Sequence, residues 1–180
     1  MNDPYEIHCK LLDIYVECGR AQELAALVEL MLRRYRRAGL HARAAAACYR
    51  LGLLDKARQV MQKAIATLDK KEHVDVLVQF ALLERDAGER ERAEALFERV
   101  LGVYPRRSDA AAAYLHMLHK AGDTARLRQV MERLTSQKLP ARTMKILYKK
   151  WLEVEEKIGD QAQLELIRQR ALQYVKKAKF

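Results

Sequence analysis

Glycine and proline are scarce in this 180-residue sequence, with seven of the first and three of the second. Both residues interrupt helices, so their scarcity lets long helices run unbroken. Cysteines number three, Cys9, Cys18 and Cys48. An odd count at spacings that match no disulfide framework excludes a disulfide-stapled scaffold; reduced, partly buried thiols in an intracellular protein are the expectation. Apolar runs long enough to span a bilayer are missing. Asp3, Glu6 and Lys10 break up the start, so no secretory signal is read there. No C-x-x-C pair, P-loop, dinucleotide-binding glycine pattern or nucleophile elbow occurs. His116 and His119 stand three apart with no third ligand close by in sequence, which is too few for a structural metal. The carboxylates interleave with basic residues as solvent-facing ion pairs do. The chain is therefore expected to be no enzyme, with no cofactor, metal, small-molecule substrate or membrane partner.

What is present suits a helix-rich globular protein. Half the residues are apolar and 32% are charged, a mix that argues against disorder. The net charge of +10 sits mostly at the two ends: +4 over residues 1–70, +1 over 71–140 and +5 over 141–180. A basic balance points to polyanionic partners, either RNA or acidic protein segments.

Five glycines act as a ruler: Gly19, Gly52, Gly88, Gly122 and Gly159, separated by 33, 36, 34 and 37 residues. Each follows one helix-like apolar pattern and precedes another, where a glycine can take the left-handed conformation that ends a helix. Eight residues before it stand Leu11, Ala44, Phe80, Tyr114 and Trp151. Five after it stand Leu24, Ala57, Ala93, Leu127 and Leu164; eight after, Leu27, Val60, Leu96, Val130 and Ile167; twelve after, Met31, Ala64, Val100, Leu134 and Ala171. Offsets of five, eight and twelve share one helix face. The pattern predicts an all-α, TPR-like superhelical solenoid of about five antiparallel helix pairs, with repeats over roughly 5–37, 41–68, 72–103, 108–137 and 142–177. The helices are expected at 5–18, 21–37, 41–51, 54–68, 72–87, 90–103, 108–121, 124–137, 142–158 and 161–177. Pro105 and Pro140 close second helices, and Asp109 and Asp123 stand where a side chain could cap a start. No Pro-, Gly- or Ser-rich linker divides the chain, so residues 1–180 read as a single repeat domain.

Three basic groups are candidate contacts for RNA or an acidic partner. Arg33, Arg34, Arg36 and Arg37 flank Tyr35, which could stack; the same run also reads as a solvated helix end. Arg106 and Arg107 begin the fourth pair and read first as loop charges. Lys145, Lys149 and Lys150 form a stripe along the ninth helix, which reads equally as a solvated face. The tail Lys176, Lys177, Lys179 is basic and expected to fray. Trp151, Tyr148, Phe80, Phe97 and Tyr114, with Met61, Met117, Met131 and Met144, occupy core positions of the pattern.

The period is that of tetratricopeptide repeats, and the details resemble the half-a-TPR (HAT) variant of RNA-processing proteins. HAT first helices carry an aromatic residue and, four positions on, a glutamate, as in Phe80–Glu84 and Trp151–Glu155. HAT second helices carry an apolar-Glu-Arg core and then a proline, as in Leu96-Phe97-Glu98-Arg99 before Pro105 and Val130-Met131-Glu132-Arg133 before Pro140. The first two repeats depart from this, with Leu11 and Ala44 in place of the aromatic residue. The stretches Lys71–Val76, Ala93–Glu98, Tyr104–Asp109, Ala141–Ile146 and Ala171–Val175, in that order, resemble the C-terminal HAT region of the ribosomal RNA processing protein 5 family, called programmed cell death protein 11 in animals. Members precede that region with many oligonucleotide-binding-fold domains that this sequence does not contain, so a fragment or reduced homologue is expected. The resemblance implies a nucleolar scaffold that assembles the small-subunit processome for pre-rRNA processing and small-subunit rRNA maturation. It would do so through protein contacts, with pre-rRNA a possible further contact. A direct RNA-binding module, and a HAT scaffold of pre-mRNA splicing or 3′-end processing, are the alternatives.

Overall fold

A computed structural model describes residues 3–37 and 39–178. The described residues form ten α-helices: α1 Pro4–Glu17, α2 Ala21–Arg34, α3 Leu40–Arg50, α4 Leu54–Thr67, α5 Lys70–Asp86, α6 Arg90–Val103, α7 Ser108–Lys120, α8 Thr124–Ser136, α9 Ala141–Ile158 and α10 Gln161–Lys177. None is long and apolar enough to cross a membrane. All five ruler glycines have positive φ, between 67° and 85°. Gly159 shows why: it is the C-cap of α9, at φ 82°, and its N–H reaches the Glu155 carbonyl, a conformation that a side chain would strain.

Four helix starts, those of α1, α5, α8 and α10, are fixed by side-chain oxygens that satisfy otherwise unpaired amides. Asp3 accepts from the Tyr5 amide at 3.0 Å, with Pro4 opening α1. Asp69 and Glu72 form a reciprocal capping box on α5. Asp123 caps α8 through the Arg126 amide at 3.0 Å, as expected, and Asp160 caps α10 through Gln163 at 3.1 Å. Asp109 does not cap; it lies inside the first turn of α7, held by Arg107.

The chain divides into two compact units, Met1–Phe97 and Glu98–Phe180. In unit one α1 packs on α2, and α3 packs on both; α4 and α5 repeat the arrangement on α3. Unit two does the same with α7, α8 and α9, and α10 lies on α9. The repeat positions supply the core. Five residues after the glycine, all of Leu24, Ala57, Ala93, Leu127 and Leu164 are buried. Phe80, Tyr114 and Trp151 are buried at the aromatic position. In α1 the buried residue is Leu12 rather than Leu11, and in α6 Phe97 is buried while Leu96 is half-exposed. Cys9 and Cys48 are buried and Cys18 is exposed, all three free thiols.

Three further expectations fail locally. First, α2 ends at Arg34, not at residue 37, because Tyr35 turns extended (ψ 139°). Its ring meets Tyr5 edge-on, with centroids 5.2 Å apart, and its hydroxyl bonds His8 Nδ1 at 2.8 Å. Second, Tyr148 and Met61 are half-exposed rather than core. Third, the basic tail is helical through Lys177 rather than frayed; Lys179 lies outside the described residues.

Glutamates join successive repeats. Glu84 is 2% exposed and accepts both arms of Arg58 (Nε 3.0 Å, Nη2 3.2 Å), tying α4 to α5. Glu155 is fully buried and accepts Arg128 Nε at 2.9 Å and Nη2 at 2.8 Å, tying α8 to α9. Each arginine also reaches the residue just after the next glycine: Arg58 to Glu89 at 3.3 Å, Arg128 to Asp160 at 3.1 Å. Burial would raise the Glu84 carboxyl, but Arg58, the Tyr49 hydroxyl and Arg92 together outweigh it and hold it below the ordinary range.

Glu29 fastens α2 to α4 through hydrogen bonds from Lys56 and from Lys63 (2.7 Å). These hold its carboxyl down to about 2, from an ordinary 4.5. A carboxyl depressed in the folded state stabilises it above the unfolded value, and that contribution is lost as pH falls from 4.5 toward 2. Glu29→Gln should therefore be less stable at neutral pH and lose less stability across that window. Urea midpoints at stepped pH check this, and parallel losses in both proteins would contradict it.

Candidate interaction surfaces

The arginine run at the end of α2 lies beside a cavity of ≈ 590 Å³ in unit one. Arg33, Arg36, Arg37, Tyr35, His41 and Lys63 line it, together with Asp69 and Glu72 of the α5 cap. The run is not uniform. Arg33 and Arg34 are exposed in the last turn of α2, where cations complement the helix dipole. Arg33 stands 4.0 Å from Glu29, whose carboxylate already bonds two lysines, and Arg36 is exposed. Arg37 is committed within the chain: it bonds Asp3 at 2.6 Å and covers the Tyr5 ring 4.5 Å from its centroid. The Tyr5 amide, with Arg37, holds the Asp3 carboxyl below its ordinary value. Tyr35 is not free to stack on a base, because Tyr5 and His8 hold it. Burial pushes the His41 imidazole down.

Arg106 is exposed in the turn before α7. Arg107 bonds Asp109 at 2.9 and 2.7 Å, which holds that carboxyl low. The second pair of candidates is thus one exposed arginine and one neutralised arginine.

The lysine stripe on α9 borders a groove of ≈ 880 Å³ between α9 and α10. Lys145 and Lys149 line it with Arg142, over a floor that includes Tyr148, Leu152 and Val175. Lys150 points elsewhere, bonding Glu153 at 2.9 Å and holding that carboxyl low. The Tyr148 and Tyr174 rings meet at 6.0 Å, and burial pushes the Tyr148 phenol up. Among the described residues no three His, Cys, Asp or Glu side chains gather as a metal site would require. His116 is exposed on α7 and His119 half-buried.

Two features here were not among the expectations from sequence. The Arg58 and Arg128 clasps had a signal: arginine stands six residues after the glycine in those two repeats whose successor carries glutamate four residues before its own. Arg142 and the groove floor had only a weak one, since Tyr148 and Leu152 fit the core pattern.

Ten helices in pairs, glycine-ended first helices and the buried aromatic–glutamate pair define an all-α helical repeat of the HAT, TPR-like type. The chain belongs to the Suppressor of forked protein (Suf) family, whose model matches residues 33–179. It is also similar to the Protein RRP5 homologs of Mus musculus and Homo sapiens, each 34% identical over 97% of this chain and 9% of the relative. Similarity to the rRNA biogenesis protein RRP5 of Drosophila melanogaster is 34% over 97% of the chain and 12% of the relative. The resemblance read from the motifs holds, and the chain spans only 9 to 12% of the length of these relatives.

Proposed function

We propose that this chain is a non-catalytic scaffold in ribosome biogenesis. It acts in the nucleolus, holding proteins of the small-subunit processome during pre-rRNA processing, as one repeat domain over residues 1–180. The observation that carries the reading is the 34% identity, over nearly the whole chain, to relatives named for rRNA biogenesis. The fold supplies the means. Rigid helix pairs offer grooves that hold a partner segment with little ordering of their own, so little conformational entropy is lost on binding. Affinity purification of the tagged chain from cells tests it: small-subunit processome proteins should co-purify. Their consistent absence would sink the reading.

A second reading, direct RNA contact, is favoured by one observation: Arg33 and Arg36 are exposed at one cavity, and Arg34, next to Arg33 in the last turn of α2, is exposed as well. If these three contact phosphates, single-stranded RNA binding should weaken roughly twentyfold over about a fourfold rise in salt. Neutralising Arg33, Arg34, Arg36 and Arg37 to glutamine should then flatten that dependence in fluorescence anisotropy. Unchanged affinity and slope in the quadruple variant would remove this patch from the account.

A further inference from the structure

In unit one, α3 packs on both helices of the first pair and α5 on both helices of the second; in unit two, α9 packs on both α7 and α8. Each of these three pairs therefore seats one further helix across its two members. Burial at the repeat positions records the seat. Seven residues before the glycine stand Leu12, Ala45, Ala81 and Leu115, all buried; twelve after it stand Met31, Ala64, Val100 and Leu134, also buried. In the fifth repeat the same two positions are Leu152 and Ala171, and both are only half-buried. They line the α9–α10 groove together with Val175, which is 53% exposed. The groove thus carries the residues of a helix seat.

Its charge narrows what would sit there. Arg142, Lys145 and Lys149 follow i, i+3, i+7 spacing and line the groove from α9. None of the three makes an ion pair within 4 Å among the described residues. The acids at the same groove are already matched: Glu153 by Lys150 at 2.9 Å, and Glu156 by Arg168 at 3.5 Å. The charge left uncompensated is positive. A second copy of a chain with net charge +10 would set like against like. Nucleic-acid bases would find Leu152, Ala171 and Val175 along the floor, and two tyrosine rings already tilted against each other at 6.0 Å.

We propose that the α9–α10 groove seats an amphipathic helix of a partner protein. Its apolar face rests on Leu152, Ala171 and Val175, and its acidic flank meets Arg142, Lys145 and Lys149. From Arg142 to Glu156 the groove side of α9 runs about 21 Å, which accommodates roughly four turns of a partner helix. The inference rests on the protein-scaffold reading and names the chemistry of a partner.

The test uses the full chain and a fluorescent, side-chain-stapled helix of about 16 residues, with leucine and alanine on one face and flanking glutamates. Controls are the same helix with lysines for glutamates, and a single-stranded RNA of similar length. The glutamate helix should bind, and the lysine helix should bind about tenfold or more weakly. Lys145→Glu combined with Lys149→Glu should weaken the glutamate helix by about tenfold or more, and so should Val175→Asp alone. All three sites are exposed, so circular dichroism should show the helices intact. Absence of glutamate-helix binding, equal binding of the two helices, or indifference to the variants would overturn the inference. So would a preference for RNA that the same variants abolish, or a dimer of the chain that Val175→Asp dissolves. If the peptide fails while processome proteins still co-purify, the groove inference falls alone. If the peptide binds and those proteins are absent, the pathway reading falls and the groove stands.

Discussion

Arg128→Ala should cost about 3–5 kcal/mol of stability, because it leaves a fully buried carboxylate without its cation. Glu155 has no solvent contact, and its partners are the two arms of Arg128 and the Trp151 indole N–H at 3.2 Å. Removing the guanidinium leaves the indole as the one donor of these two residues. The same change frees Asp160, which caps α10 and also pairs with Arg128. Urea denaturation at neutral pH measures the loss. Arg128→Met combined with Glu155→Leu should recover only part of it: two apolar side chains leave no unpaired charge, but the Trp151 indole N–H loses its acceptor. A loss below about 1 kcal/mol in the single variant, the size seen for exposed pairs, would mean that the clasp does not hold the repeats together.

Trp151→Ala should be as damaging, about 3–5 kcal/mol, for a different reason. The side chain is 1% exposed and among the largest in the core, so its removal opens a cavity between α9 and the helices beneath it. Trp151→Phe separates packing from hydrogen bonding. It keeps most of the volume and removes only the donor to Glu155, so it should cost about 1–2 kcal/mol. Equal losses in the two variants would place the whole effect in the hydrogen bond. Trp151 is the chain's single tryptophan, so both variants lose its emission, and urea unfolding followed by circular dichroism measures their losses.

The helical-repeat fold was legible because two local signals coincide. Glycines at a near-constant spacing end first helices, and apolar residues at offsets of five, eight and twelve bury second helices. Both act within one turn or one helix face, and periodicity sees that scale. The end of α2 was not legible. Tyr35 leaves the helix to meet Tyr5 and His8, about thirty residues earlier, and nothing local announces such a contact. Tyr148 was misplaced for a related reason. Periodicity assigns a residue to an inward stripe, but burial also requires a helix to lie over that stripe.

The candidate charges were visible as runs, whereas their availability was not. Arg37, Arg107 and Lys150 are held by Asp3, Asp109 and Glu153. Lys145 and Lys149, read as a stripe, do share a groove. Arg142, already on the helix expected at 142–158, joins them only in the folded groove, whose lining it shares.

The most direct test of the scaffold account is sedimentation of the tagged chain from cell extract on a density gradient, with and without ribonuclease. The account expects the chain among small-subunit pre-ribosomal particles, still bound to processome proteins once the RNA is digested. A chain that sediments apart from those particles, or that loses every processome protein on ribonuclease treatment, would contradict it.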